Sequence, residues 1–304
     1  MTSRDPRAGA DTTDCKPTSP HRQRTNRIAA PLILRMLRLV FETGGQLAPG
    51  LTGKLASKFW YKTTRFPLPA VERKALRNAD GSFREINGSR IATYEWGKSG
   101  AAILLVHGWN GRASQLAPFV RPLLKAGYRV LGFDAPAHGN SAGRQTTIFA
   151  IADVILEINK CDGPFHAVIT HSFGGPSLAL AMKQDFIAER IVCLCPPAST
   201  AGLVDKFART LHINDKSIRA MKRLIEKRFG KDVWSEVSMV NNVSGQIVPA
   251  MIIHDEEDSD IPWQEGFAVS QAWPGSRFIK TRHLGHHRIL RDTTTIQKAV
   301  GFIG

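Results

Sequence analysis

The chain has 304 residues, 42% hydrophobic and 22% charged, the profile of an ordinary globular protein long enough for one large domain or two small ones. Its net charge of +15 is uneven, since residues 1–80 hold 15 Lys/Arg against 6 Asp/Glu. With no nucleic-acid motif and no basic-aromatic platform, this charge does not point to nucleic acid. Four irregularly placed cysteines (Cys15, Cys161, Cys193, Cys195) argue against a disulfide framework or a zinc-finger spacing, and predict reduced thiols in a cytoplasmic setting.

Residues 1–27 are rich in Thr, Ser, Pro, Asp and Arg and nearly free of large apolar side chains, which predicts a disordered basic tail. Residues 28–80 read as a helical lead-in. Its opening run, "IAAPLILRMLRLVF", is interrupted by Arg35 and Arg38, so it falls short of the ~20 apolar residues that span a bilayer. The run also starts too late, and carries too much charge, for a secretory signal. Two readings of it stay open: a helix packed against the main domain, or a basic amphipathic helix in peripheral contact with anionic membrane. "FPLPAVERKALRNADG" then reads as a loop, a short helix and a turn.

From about residue 81 to 304 the rhythm is that of a sheet. "REINGSRIATYEW" predicts two short strands joined by an Asn87-Gly88 turn. "AAILLVHG", "YRVLGFDA", "FHAVITHS", "RIVCLCPP", "VPAMIIHD" and "RFIKT" follow, mostly separated by helical stretches such as Ala113–Lys125 and Thr147–Asn159. Runs apolar on both faces, alternating with helices, predict an α/β fold with a mostly parallel central sheet flanked by helices. About 50 residues without a strand separate "CLCPP" from "VPAMII", which predicts a helical cap over residues 198–246, inserted after the sixth strand. Within it Ile218, Met221, Ile225 and Phe229 share one helical face, opposite a basic face expected to be solvated.

In an open parallel sheet, ligands bind beyond the carboxyl ends of the strands. There the chain places His107-Gly108-Trp109-Asn110, then "DAPAHGNSAG", then His171-Ser172-Phe173-Gly174-Gly175, then the acidic run Asp255 to Asp260, then "RHLGHHRILRD". In this order the segments resemble the α/β-hydrolase superfamily, and the wording of "HGWNG", "FDAPAHGNSAG" and "GHHRILRD" is similar to a bacterial group of serine hydrolases within it. The likeness runs from about Ser82 to Gly304. It implies an α/β-hydrolase fold and a triad in which Ser172 attacks, His286 is the base and Asp258 orients it. It also implies an oxyanion hole made of the Trp109 and Phe173 N–H groups.

Asp258 competes with Asp255, Glu256, Glu257 and Asp260, and the D-x-x-[IV]-P pattern selects it. His286 competes with His283 and His287, and the Gly-His step selects it. His107, Trp109 and His171 are further candidates for the substrate pocket. His107 and His138 read more readily as loop supports, and for His171 both roles stay open. No cofactor, nucleotide or metal is called for, since neither a phosphate loop nor a zinc spacing is present.

The implied activity is cleavage of a carboxylic ester or thioester carrying an apolar acyl group. C–C bond hydrolysis or perhydrolysis with the same triad, and a non-catalytic binding protein on the same fold, are the alternatives. The last is motivated by Thr170, which stands where G-x-S-x-G has its first glycine, at an expected cost of about 1–3 kcal/mol if the turn is overpacked.

Overall fold

The computed structural model describes residues 32–304, so the expected disordered tail over 1–27 lies outside the described residues. The lead-in forms three helices, α1 (Leu32–Leu47), α2 (Pro49–Trp60) and α3 (Ala70–Arg77). A hairpin follows, β1 (Asp80–Ile86) and β2 (Ser89–Trp96). It turns at Asn87 (φ +49°) and Gly88 (φ +71°), two positive φ values that suit a tight turn between twisted strands.

Next come β3 (Ala102–Val106), a 3₁₀ turn (Ala113–Phe119), α4 (Val120–Lys125), β4 (Arg129–Phe133) and α5 (Ile148–Asp162). The stretch expected as one helix over Ala113–Lys125 is split between the 3₁₀ turn and α4. Pro118 and Pro122 explain the split, because each removes an N–H that a continuous helix would need. The chain continues through β5 (Phe165–His171), α6 (Gly174–Ala181) and β6 (Ala188–Leu194). Four helices then replace any strand: α7 (Thr200–Leu211), α8 (Asp215–Phe229), α9 (Val233–Glu236) and α10 (Met239–Val243). Last are β7 (Ala250–Asp255), α11 (Trp263–Ala272), β8 (Arg277–Thr281), α12 (Gly285–Arg288) and α13 (Thr293–Ile303).

The eight strands form one sheet in the order β1-β2-β4-β3-β5-β6-β7-β8. β2 is antiparallel to both β1 and β4, and every later pairing is parallel. Alternate residues feed two cores. Leu104, Val106, Val168, Ile191 and Ile252 join one, while Ile103, Leu105, Ile169, Val192 and Ile253 join the other. Helices cover both faces, which is why the inner strands read as unbroken apolar runs.

The lead-in packs on the inserted helices, α2 against α8 and α1 against α7. Gly53 makes the α2–α8 crossing close, since an added Cβ there would lie 2.6 Å from Ala220 Cβ and 2.7 Å from Ser217 O. Ile218, Met221 and Ile225 of α8 are buried as their spacing predicts, and Lys216, Arg219, Arg223 and Lys227 are exposed. Among the described residues no helix is long and apolar enough to cross a membrane.

Candidate active site

Ser172 stands between β5 and α6 with φ +50°, a left-handed backbone that non-glycine residues adopt at a cost of about 1–3 kcal/mol. Its N–H donates to Leu194 O (2.8 Å), and its carbonyl accepts from Gly175 N–H (3.0 Å), so the turn is held from both sides. The close approach that such a turn demands falls on two glycines. A Cβ on Gly174 would lie 2.6 Å from Val106 O, and one on Gly108 would lie 2.9 Å from Ser172 Cβ. Thr170 is fully buried beside its β6 partner Cys193, with Oγ1 3.5 Å from Val192 O.

The candidate acid and base come from the loops after β7 and β8. Asp258 Oδ2 accepts from His286 Nδ1 at 2.6 Å, and its Oδ1 accepts the N–H groups of Asp260 and Ile261, both at 2.8 Å. Burial alone would raise the Asp258 carboxyl. Hydrogen bonds from His254 and His286, the His286 charge and the Ile261 N–H outweigh it, and hold the group well below the usual carboxylate range.

The competing acids are engaged elsewhere. Asp255 is fully buried and accepts from Gly285 N–H (2.9 Å), Leu284 N–H (3.2 Å), Thr281 Oγ1 (2.8 Å) and Glu257 N–H (3.1 Å), which anchors the loop that carries His286. Glu256 pairs with Arg282, Glu257 with His283, and Asp260 with Lys206. Of the competing histidines, His283 is exposed on Glu257, and His287 lies 3.7 Å from Asp260.

His171 is resolved by its partner. It is buried, its Nε2–H donates to His286 O at 2.9 Å, and the two rings sit 4.7 Å apart. The residue before Ser172 therefore ties the turn to the histidine loop, while also lining the cavity. Burial, and then the nearby His286, push its ring well below the ordinary imidazole value, which keeps it neutral.

His254 has no counterpart in the sequence reading. Its ring is fully buried, with Nε2 2.9 Å from Ile261 O and 3.3 Å from Asp258 Oδ2, directly behind the acid. Gly266 of α11 leaves room for it, since a Cβ there would lie 2.2 Å from His254 Nδ1. Cys195, His254 and Asp258 are the one group among the described residues whose ligating atoms lie within metal reach, 4.8 Å of one another. Their chemistry fits a hydrogen-bonded support better than a metal centre. Burial and the adjacent Asp258 push the Cys195 thiol well above its ordinary value, and Asp258 is committed to His286 and two N–H groups.

His107 and His138 are loop supports, and His107 is not in the cavity wall where the sequence reading also placed it. Its Nδ1–H donates to Gly108 O (2.7 Å) and its Nε2 accepts from Ala135 N–H (2.9 Å), which holds the ring behind the turn. His138 Nε2 accepts from Asn110 N–H (3.0 Å), and its Nδ1–H donates to Pro136 O (3.0 Å).

Burial lowers His107 from 6.5 to about 4. The unfolded chain therefore takes up this proton at a pH where the folded chain still refuses it, and stability falls on acidification through that window. His107 alone should cost about 3 kcal/mol between pH 6.5 and pH 4. Urea unfolding of wild type and His107→Asn at pH 7 and pH 4.5 checks this, the variant losing less of its stability than wild type.

Ser172, His171, His286, Trp109 and Phe173 line one cavity of about 830 Å³. Trp109 is set edge-on to Phe173 (5.2 Å), so its ring forms part of the wall. Among the described residues, no acceptor takes up the backbone N–H of Trp109 or Phe173. The rest of the wall comes from distant segments: Trp60, Tyr61 and Phe66 of the lead-in, Phe149 of α5, and Phe207, Phe229 and Trp234 of the inserted helices. Tyr61 lies edge-on to Phe229 (6.4 Å), Trp60 edge-on to Phe207 (5.4 Å), and Phe149 stacks on Phe229 (4.9 Å). A strap over residues 62–67 is tied down by Thr64 N–H to Asn110 Oδ1, by Arg65 to the carbonyls of Gly139, Ser141 and Gly143, and by Arg112 to Phe66 O. The boundary expected at residue 80 thus divides segments that build one cavity.

Comparison with known proteins agrees with this architecture. The chain resembles solved structures of an esterase from Exiguobacterium antarcticum (15% identity, TM-score 0.58, 73% of this chain and 99% of that one) and an enol-lactonase from Burkholderia xenovorans (19%, 0.56, 73% and 99%). A bacterial membrane phospholipase A is also similar (16%, 0.57), over 89% of this chain and 97% of that one. At these identities the likeness speaks for the fold alone. No curated protein matches the sequence. The model of the alpha/beta hydrolase family, however, matches residues 103–294, from β3 through the loop that carries His286, and the chain belongs to that family.

Proposed function

We propose that the protein is a serine hydrolase that cleaves a carboxylic ester or thioester with an apolar acyl chain, by way of an acyl-enzyme. One observation carries the reading: the buried Asp258–His286 hydrogen bond and the left-handed Ser172 meet at the wall of a single aromatic cavity. His286 Nε2 takes the hydroxyl proton as Ser172 Oγ bonds to the acyl carbon and the carbonyl electrons move to oxygen. That oxygen accepts from the Trp109 and Phe173 N–H groups. Collapse of the intermediate expels the alcohol or thiol, which receives the proton from His286. Water then attacks the acyl–serine bond with His286 again as base. Asp258 keeps Nδ1 protonated throughout, leaving Nε2 as the basic nitrogen.

The aromatic wall favours acyl over sugar substrates. Each methylene it removes from water is worth about 0.8 kcal/mol, so kcat/KM should rise by up to about fourfold per added CH₂ from acetate to medium-chain p-nitrophenyl esters. Rates that are flat or falling across that series would contradict an acyl role for the cavity.

A further inference from the structure

Helix α1 is apolar on two opposite faces. One face, with Phe41 and Gly45 at its centre, is buried. The other carries Leu32, Ile33, Met36, Leu39, Val40 and Leu47, all between 49% and 86% exposed. At 100° per residue these six lie within about one third of the helix circumference. A helix apolar all round is ordinarily covered all round, and a contiguous exposed apolar face marks a place where something else docks.

We propose that this face rests on the surface of an anionic lipid bilayer. Three observations select that occupant. First, residues 1–31 cannot supply an apolar cover, because Met1 and Ile28 are their only large apolar residues. Second, the helical pair itself is cationic: α1 and α2 hold Arg35, Arg38, Lys54 and Lys58 against the single acid Glu42, and Arg35, Lys54 and Lys58 are exposed. The exposed acid of α1, Glu42, is paired with His212 at 2.5 Å. Third, a chain of net charge +15 repels a second copy of itself, whereas it is attracted to phosphate headgroups.

The geometry also suits the depth at which such helices bind. α1 lies on the outside of the inserted helices, fixed to α7 by Arg38 Nε donating to Thr210 O (2.8 Å), so it can enter the headgroup layer without leaving the fold. Its neighbour α2 ends at Trp60, and Trp60 and Tyr61 line the cavity. The docked face and the acyl cavity are thus two ends of one helical pair. Docking itself rests on the exposed face of α1 and the charge around it, and does not depend on the hydrolase reading.

The test is co-sedimentation of the full-length protein with vesicles of phosphatidylcholine, with and without phosphatidylglycerol. Wild type should pellet with the anionic vesicles and be released by high salt. The double variant Met36→Asp/Leu39→Asp should bind at least about tenfold more weakly, and Arg35→Gln about fivefold more weakly. Both should keep wild-type circular dichroism and wild-type hydrolysis of a water-soluble ester, since none of these residues lines the cavity. Failure of wild type to bind anionic vesicles overturns the proposal. Equal binding by the double variant, or a wild-type dimer that the double variant dissolves without any vesicle binding, overturns it as well, the latter in favour of a second copy as occupant. Loss of soluble-ester hydrolysis by Ser172→Ala with vesicle binding intact separates a failure of docking from a failure of the catalytic assignment.

Discussion

Replacement of Ser172 by alanine should lower kcat/KM on a short-chain p-nitrophenyl ester by about 10⁴-fold or more, leaving only the modest rate that a preorganised oxyanion site and binding provide. The fold should survive. Alanine keeps the strained φ of +50° and loses one hydroxyl at the cavity surface, so the midpoint of urea unfolding should stay near that of wild type. Glycine at the same position separates strain from chemistry. It relieves the left-handed backbone and should stabilise the protein by about 1 kcal/mol while abolishing activity equally. Equilibrium unfolding and steady-state kinetics on both variants give the two readouts. A Ser172→Ala protein with near-normal rates would remove the nucleophile from the account.

The second large effect concerns the choice between two buried aspartates three residues apart. Asp258→Asn should cost about 10⁴-fold in kcat with little change in KM, because the amide no longer holds the His286 Nδ1 proton and the ring can present the wrong nitrogen to Ser172. Asp255→Asn should act mainly on stability. Its carboxylate accepts four hydrogen bonds that fix the turn before His286, and weakening them should cost about 3 kcal/mol. Kinetics and urea unfolding of the pair distinguish the roles: a rate loss far larger than any stability loss explains belongs to Asp258, a stability loss with the rate of the folded protein retained to Asp255. The reverse result would exchange acid and anchor.

These two residues show how far the sequence could be read. The order of the strands and the loops at their carboxyl ends were legible, because each inner strand is a short apolar run and each site segment follows one directly. The family match over residues 103–294 covers the same segments. Asp258 and Asp255 are alike in the acidic run, and only pattern separated them. The structure separates them by partner, His286 for one and a set of N–H and O–H donors for the other.

Thr170 looked like a defect because the usual motif has glycine there. Close approaches at the turn fall on Gly174, against Val106 O, and on Gly108, against Ser172 Cβ, and a one-dimensional motif does not say which glycine bears them. His254 was not legible at all, since a lone histidine in a strand carries no signal until Asp258 and Gly266 are brought around it. The cavity wall was hidden for the same reason. Tyr61 and Phe229 meet in space across 167 intervening positions, and no local pattern announces the contact. The lead-in accordingly read as a separate helical segment, though eight residues between Phe59 and Glu72 line the cavity.

The most direct test is to treat the wild-type protein with a fluorophosphonate and locate the adduct by mass spectrometry of its peptides. The adduct is expected on Ser172 alone, its formation slowed at least about 10³-fold in Asp258→Asn, where the base is misdirected. A protein left unmodified, or modified at another residue while Ser172 stays free, would contradict the central claim that Ser172, His286 and Asp258 act as one catalytic unit.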